Sequence, residues 1–167
     1  ITLTNSTFTD WLGSIHVLNV NGMLIDHCVA IASPVSNLNL VQLGSCDTEN
    51  KANDVIIRNS NFVQHTAVQG FDGILAVGGS GCLFENLLID TVSDDIPNGY
   101  LPSAIHIGST GCDAFENLLA RNCIVKGVNG RTIHIENGVK AVFDACQISG
   151  GTNVNILMNA ATDCAIK

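Results

Sequence analysis

Histidine recurs in one short pattern, with an imidazole between two branched aliphatic residues. The three copies are Ile15-His16-Val17, Ile105-His106-Ile107 and Ile133-His134-Ile135. Imidazole binds metals and transfers protons near neutral pH, so His106 and His134 can share a ligand or a proton if their segments lie side by side. A metal site is not predicted, because it needs three converging ligands and Glu136 or Asp113 would have to join the pair. The alternative is that the histidines are polar positions on a repeating surface.

Carboxylates form the second candidate group. Glu85 and Glu116 each follow a phenylalanine and precede an asparagine, and Asp144 also follows a phenylalanine. If these positions are equivalent in a repeat, the three side chains stack at about 4.8 Å intervals. Such carboxylates suit glycoside hydrolysis, which makes Glu85 and Glu116 candidate catalytic residues, and all three can hold calcium. Alternatively they are exposed charges that keep the protein soluble, with Arg58 offsetting Glu85.

Three consecutive long segments contain a mixture of acids, bases and one aromatic residue. Their sequences are VQHTAVQGFD, DTVSDDIPNGYLPS and RNCIVKGVNGR. The mixture and its flanks comprise Asp94, Asp95, Tyr100, Asp72, His65, Arg121, Lys126 and Arg131. Sites on repeat scaffolds are usually found in such loops. Asp94 and Asp95 are therefore candidate catalytic residues, and Tyr100, Arg121 and Arg131 join the two histidines as candidate binding residues. A set of polar loops without a site is the alternative.

The composition excludes several classes of function. Seven Lys plus Arg against fifteen Asp plus Glu give a formal charge of −8, which repels the phosphate backbone of a nucleic acid. No apolar run approaches the length of about 18 residues that a membrane span needs. Seven cysteines without zinc-type spacing fit either disulfides in a secreted protein or buried thiols in a reducing compartment. No cofactor is predicted apart from the calcium site described above.

The elements that must position these residues are short strands in a repeat of about 28 residues. Apolar-x-apolar triplets recur at two columns, and four of their pairs are ten residues apart: 15 to 25, 74 to 84, 105 to 115 and 133 to 143. A fixed period of this length indicates a solenoid or an array. No segment shows a sustained helical period, so the pattern predicts an all-β chain that stacks its strands in parallel sheets.

Residues 55 to 90, VIIRNSNFVQHTAVQGFDGILAVGGSGCLFENLLID, show an I-x-x-N-x-x-F turn, a D-G-I triplet and a Gly-rich turn. In these motifs the chain resembles the right-handed parallel β-helix proteins of the pectin-lyase-like superfamily. The resemblance implies one β-helix segment of about six coils over residues 1–167, with uncapped ends. Since both ends fall inside strands, we expect a fragment of a longer protein or a shaft sealed by neighbours.

The resemblance leaves two functions open. One is a structural or adhesive shaft of a phage tailspike, fibre or cell-surface appendage that contacts glycans, assembles as a homo-oligomer such as a trimer, and is extracellular, on a cell surface or on a virion. The other is a polysaccharide lyase or glycoside hydrolase. Of the NTD, DD, GHG and RIK stretches of polygalacturonase-like members, only Asp94-Asp95 matches, and few aromatic residues are present to bind sugar rings.

The columns also assign roles to individual positions. The middle residue of each triplet points outward, which predicts a solvent-facing column of His16, Asn39, Leu75, His106, His134 and Asn155. A second column, comprising Asn5, His27, Asn59, Asn86, Asn117 and Ala145, is expected in left-handed turns. Most cysteines are expected to be small buried side chains, and the pattern leaves Cys46 without a place.

Overall fold

The protein is built from strands alone in the residues described by the structure, a computed structural model covering 1–36, 38–69, 72–95, 102–151 and 154–167. None of these residues belongs to a helix that is long and apolar enough to cross a membrane. In chain order the strands are β1 (Thr2–Thr4), β2 (Thr7–Trp11), β3 (Ile15–Val17), β4 (Val20–Asp26), β5 (Val29–Ala32), β6 (Val41–Leu43), β7 (Ala52–Arg58), β8 (Asn61–Gln69), β9 (Ile74–Ala76), β10 (Gly79–Ser80), β11 (Leu83–Glu85), β12 (Leu88–Asp95), β13 (Ser103–Ile107), β14 (Phe115–Glu116), β15 (Leu119–Arg121), β16 (Ile124–Val128), β17 (Arg131–Glu136), β18 (Gly138–Val139), β19 (Val142–Asp144), β20 (Gln147–Ser149), β21 (Val154–Asn159) and β22 (Ala165–Ile166).

The strands form three sheets in which every pair is parallel. Sheet A has ten strands: β1, β4, β7, β10, β11, β14, β15, β18, β19 and β22. Sheet B stacks β2, β5, β8, β12, β16 and β20 in sequence order, and sheet C stacks β3, β6, β9, β13, β17 and β21 in the same way. The chain therefore passes through sheets A, B and C in turn and starts again, an all-β arrangement compatible with a β-helix.

The core forms because side chains along each strand point alternately into and out of the protein. In sheet A one inward column runs through Ile25, Ile57, Phe84, Ala120 and Phe143, all fully buried. Their neighbours on either side point the other way, as the period of two in a strand requires. Burial of the branched and aromatic side chains of these short strands supplies the main driving force for stacking.

The turn between sheets A and B repeats in the left-handed conformation, as predicted. Asn5, His27, Asn59, Asn86 and Ala145 have φ between 50° and 53°. Asparagine tolerates this region because its short polar side chain bonds locally. The predicted member Asn117 also has a positive φ but belongs to another turn, and Asn122 takes its place in this column: its N–H donates to the Asp144 carbonyl as that of Asn86 donates to Arg121.

Asp26 is the most strongly bonded carboxylate on sheet A. Arg58, paired with it on β7, donates from Nε and Nη2 at 3.0 and 2.9 Å, and Asn59 donates at 3.0 Å. These hydrogen bonds, Arg58 first, hold the pKa of Asp26 below its usual 3.8. Asp26 and Arg58 thus neutralise each other in the outward column of sheet A.

The prediction that Glu85, Glu116 and Asp144 stack consecutively is wrong. β14 pairs with β10 and β18, so Glu116 lies beside Ser80 and Val139. Arg121 takes the place between Glu85 and Asp144. The ten-residue spacing from 105 to 115 does not connect equivalent strands, because additional residues follow β13 and the strand equivalent to β11 and β19 is β15.

Two members of the predicted outward column of sheet C are also wrong. Gln42, rather than Asn39, lies between His16 and Leu75, and Leu157, rather than Asn155, lies beside His134. Both segments contain two apolar-x-apolar triplets, adjacent in residues 38–43 and overlapping in residues 154–158, and in each segment the more C-terminal triplet is the one that pairs in the column. The pairings of Leu75 with His106 and of His106 with His134 agree with the predicted order.

A disulfide joins the two insertions that lengthen the path from sheet C to sheet A. Cys46 follows β6 and Cys112 follows β13, 66 residues later, and their Cα atoms are 4.7 Å apart. An ion pair between Lys51 and Asp113 joins the same two segments. β9 lies between β6 and β13 in sheet C, so the bridge reaches across an intervening strand. The other five cysteines are free thiols: Cys28, Cys82 and Cys123 are buried, and Cys146 and Cys164 are half-buried. Three of the seven cysteines, rather than most of them, are therefore buried as predicted.

Candidate functional site

His106 and His134 lie on paired strands on the outer side of sheet C. They are direct neighbours in β13 and β17, and their rings stack with centroids 4.3 Å apart. The prediction that they are adjacent is confirmed, whereas the prediction that they face solvent is wrong: only 9% of His106 and 5% of His134 is exposed. The equivalent His16 is exposed, so burial is a property of the middle repeats.

Asp72 fixes the orientation of His106. Its Oδ2 is 2.9 Å from His106 Nδ1, and its Oδ1 accepts the Ser103 N–H at 2.6 Å. The carboxylate needs a donor, so the proton of a neutral His106 is on Nδ1 and its Nε2 carries a lone pair. Asp72 is itself held by its own N–H, which donates to Asn39 Oδ1 at 2.9 Å. The neighbouring Gly73 lets the backbone after Asp72 lie close to β13, since a Cβ at this position would be 2.8 Å from the Ala104 carbonyl oxygen.

Glu136 completes the group on the same face of β17 as His134, two residues further on. Its Oε2 is 3.7 Å from His106 Nε2, and Thr110 donates a hydrogen bond to its Oε1. That hydrogen bond is the main cause that lowers the pKa of Glu136. Glu136 is therefore ionised at neutral pH. We call Asp72, His106, His134 and Glu136 the histidine cluster.

His134 is held in its neutral form. Burial, followed by the charges of His106 and Arg131, lowers the pKa of His134 to about 4. Arg131 Nη1 is 3.2 Å from His134 Nδ1. A guanidinium can only donate, so this nitrogen accepts and the ring proton is on Nε2. Within the described residues, the Nε2 atoms of both histidines are buried without a hydrogen-bond partner.

A cavity of about 510 Å³ opens beside the cluster. Its lining combines amides, hydroxyls and carboxylates with two aliphatic side chains and one cysteine. The lining residues are Asn39, Gln42, Ser45, Cys46, Asp72, Leu75, Val77, His106, Ser109 and Glu136. We call it the sheet C cavity. Since Ser45, Cys46 and Ser109 belong to the two disulfide-linked insertions, the bridge builds one side of the cavity.

The predicted residues are only partly brought together. Glu85 and Arg121 form an ion pair on sheet A, with Arg121 Nη2 2.6 Å from Glu85 Oε1. Glu116 is exposed beside Lys51 and Asp113, in a separate depression. None of these three predicted residues lines the sheet C cavity.

Of the remaining candidate residues, some have described positions and others do not. Arg131 contacts His134 and thus belongs to the surroundings of the cluster. Asp94 and Asp95 are in strand β12, where only their backbone is described. Tyr100 lies outside the described residues. Asp144 is exposed on sheet A next to Arg121 and does not reach the cluster.

Sequence reasoning gave too little weight to Asp72 and missed Asn39 and Gln42 as residues of one site. Asp72 was one of several acids in a loop mixture, and Asn39 was assigned to the outward column of a strand. A usable signal was present, because the D-G-I triplet places an acid directly before the strand that precedes Ile105-His106-Ile107 in sheet C.

No family model, curated protein or solved structure matches the chain.

Proposed function

We propose that the chain is a six-coil segment of a right-handed parallel β-helix that acts as an extracellular, cell-surface or virion shaft and holds a glycan in the sheet C cavity. The observation that carries this proposal is the cavity itself, with polar groups from several strands and loops converging on about 510 Å³. Small-molecule sites are typically concavities of this size with a few fixed polar groups.

The chemistry of the lining favours a sugar over an anionic ligand. Asn39 and Gln42 offer amides, Ser45 and Ser109 offer hydroxyls, and all four can bond to sugar hydroxyl groups. Leu75 and Val77 give the apolar surface on which the C–H side of a sugar ring packs. Two carboxylates in the lining and a formal charge of −8 disfavour polyanions, so a neutral glycan is expected.

Gln42 gives the sharpest test, because it lines the cavity whereas His16, its neighbour in the same column, does not. Gln42→Leu should weaken binding of neutral oligosaccharides about tenfold, the effect of losing roughly 1.4 kcal/mol of hydrogen bonding. His16→Leu, the matched change on the adjacent strand β3, should leave affinity unchanged. Titration calorimetry against neutral and acidic oligosaccharides measures both. Failure of every neutral glycan to bind, or equal losses in the two variants, would overturn the proposal.

A second candidate function, cleavage of a polysaccharide, is favoured by the pairing of Asp72 with His106. A carboxylate on Nδ1 leaves Nε2 as a base, the arrangement by which proteins orient a catalytic imidazole. His106→Gln should then abolish release of reducing or unsaturated ends while His16→Gln retains it. If no polysaccharide yields such ends with the unaltered protein, the shaft function alone stands.

A further inference from the structure

Three side chains of the histidine cluster hold potential ligand atoms close together. His106, His134 and Glu136 each offer one such atom, and these atoms all lie within 4.8 Å of one another. The arrangement follows from the fold, since His106 and His134 are paired and Glu136 is two residues after His134 on the same face of β17. Two imidazoles and one carboxylate are therefore placed together by two adjacent strands.

Each of the two histidines has one ring nitrogen without a partner in the described part of the chain. Among the described residues, Nε2 of His106 and Nε2 of His134 are both buried without a hydrogen bond. Native proteins leave few buried polar nitrogens unpaired, because such a nitrogen has lost its hydrogen bonds to water without replacement. A ligand shared by the two rings would satisfy both nitrogens at once.

Asp72 prepares one of the histidines for a metal in particular. It accepts the Nδ1 proton of His106 and so directs the Nε2 lone pair toward the cluster. Carboxylates placed on the far nitrogen of a ligating histidine fix its tautomer and raise its basicity in many metal sites. Asp72 is in turn held by the Ser103 N–H at 2.6 Å, so the orientation is rigid.

We propose that His106, His134 and Glu136 bind one divalent transition-metal ion, with zinc as the best match to two imidazole nitrogens and one carboxylate oxygen. Zinc bonds of about 2.0–2.1 Å place tetrahedral ligand atoms about 3.4 Å apart. His106 Nε2 and Glu136 Oε2 are already 3.7 Å apart. His106 and Glu136 also line the sheet C cavity, from which water or a ligand would complete the coordination.

Binding requires one defined rearrangement. The rings of His106 and His134 are stacked, with planes inclined by 25°, so their lone pairs do not yet converge. His106 is fixed by Asp72, and so His134 is the ring that turns. Its Nδ1 then carries the proton, which displaces Arg131 from its present contact. Arg131 is only half-buried, so its guanidinium can be hydrated when this contact is lost.

The test titrates metal-free, untagged protein with zinc chloride alone, followed by calorimetry and thermal melting. We expect one equivalent to bind with a micromolar or lower Kd and to raise the Tm. Glu136→Gln, a change at a partly exposed side chain, should weaken binding at least tenfold, and His134→Gln should do the same. His16→Gln provides the matched control, because this exposed histidine occupies the same column of sheet C and should leave the Kd unchanged.

Free thiols are the competing zinc ligands, and one further variant separates them. Cys146 and Cys123 interact through their thiols away from the histidine cluster, so Cys146→Ser should retain full zinc binding. The proposal is overturned if the unaltered protein binds no zinc, if Glu136→Gln and His134→Gln bind as well as it does, or if Cys146→Ser abolishes binding. None of these measurements involves a glycan, so this site and the proposed glycan function fail independently.

Discussion

The disulfide between Cys46 and Cys112 should contribute a large share of the stability of the middle repeats. The bridge closes a segment of 66 residues between two loops that sheet pairing alone does not join. The loss of chain entropy in the unfolded state for a loop of this length corresponds to about 4 kcal/mol. In a chain of 150–250 residues each kcal/mol shifts the Tm by about 2–4 °C, so removal of the bridge should lower it by about 8–16 °C.

The double variant Cys46→Ser/Cys112→Ser is the suitable perturbation, because it leaves no unpaired partner thiol. Thermal unfolding followed by circular dichroism gives the Tm, and a reducing agent should lower the Tm of the unaltered protein by the same amount while leaving the variant unaffected. Cys46 is exposed, so the reductant can reach the bridge. Cys164→Ser, a change at a half-buried free thiol, is the control.

A Tm of the double variant within about 2 °C of the unaltered protein would refute the reasoning. It would mean that the ion pair of Lys51 with Asp113 and the surrounding strands already hold the two insertions together. A fall of similar size in Cys164→Ser would attribute the effect to loss of any thiol rather than to the bridge.

Three other perturbations test separate parts of the structure. Asp26 contributes its full stabilisation above the pKa of 3.8 that it has in the unfolded chain, and this is lost as pH falls through its lower pKa in the folded protein. Asp26→Asn should therefore lower the Tm at pH 7, and the difference in Tm from the unaltered protein should shrink below about pH 4. A difference that is constant with pH would contradict this. Gly108→Ala should destabilise more than Gly22→Ala: both residues have φ near +80°, worth about 1–2 kcal/mol of strain, but only at Gly108 would the Cβ meet a backbone oxygen, at 1.6 Å. Equal losses of unfolding free energy in urea titrations would argue against the close approach. Burial raises the pKa of Cys82 to about 11, while a hydrogen bond from the neighbouring Cys123 thiol lowers the pKa of half-buried Cys146. Iodoacetamide at neutral pH should therefore label Cys146 before Cys82. Mass spectrometry showing the reverse order would contradict this.

The column of left-handed asparagines shows how far local chemistry goes. Asn5, Asn59 and Asn86 could be placed in turns from the sequence, because their conformational preference acts within a few residues. The same reasoning chose Asn117 where Asn122 lies, since both stand in similar turns and only the pairing of β15 with β11 distinguishes them. Equivalence in a repeat is decided by strand pairing, and pairing is a long-range property.

The histidine cluster depends even more on distant parts of the chain. The sequence predicted that His106 and His134 are neighbours, because a repeat of one fixed length stacks its equivalent residues. It did not predict their burial, nor that Asp72 bonds to His106 across 34 residues. These contacts arise from loops whose paths no periodic pattern specifies.

The sequence by itself determined the all-β strand type, the repeat and the adjacency of the two histidines, since each follows from alternation and spacing along the chain. Only the tertiary structure decided that Arg121 separates Glu85 from Asp144, that Cys46 finds Cys112, and that Asp72 and Glu136 converge on the histidines. The physical reason is the same in each case. Insertions such as the residues around Cys112 shift the register between sheets, and their folded path depends on which distant backbone and side-chain groups they meet.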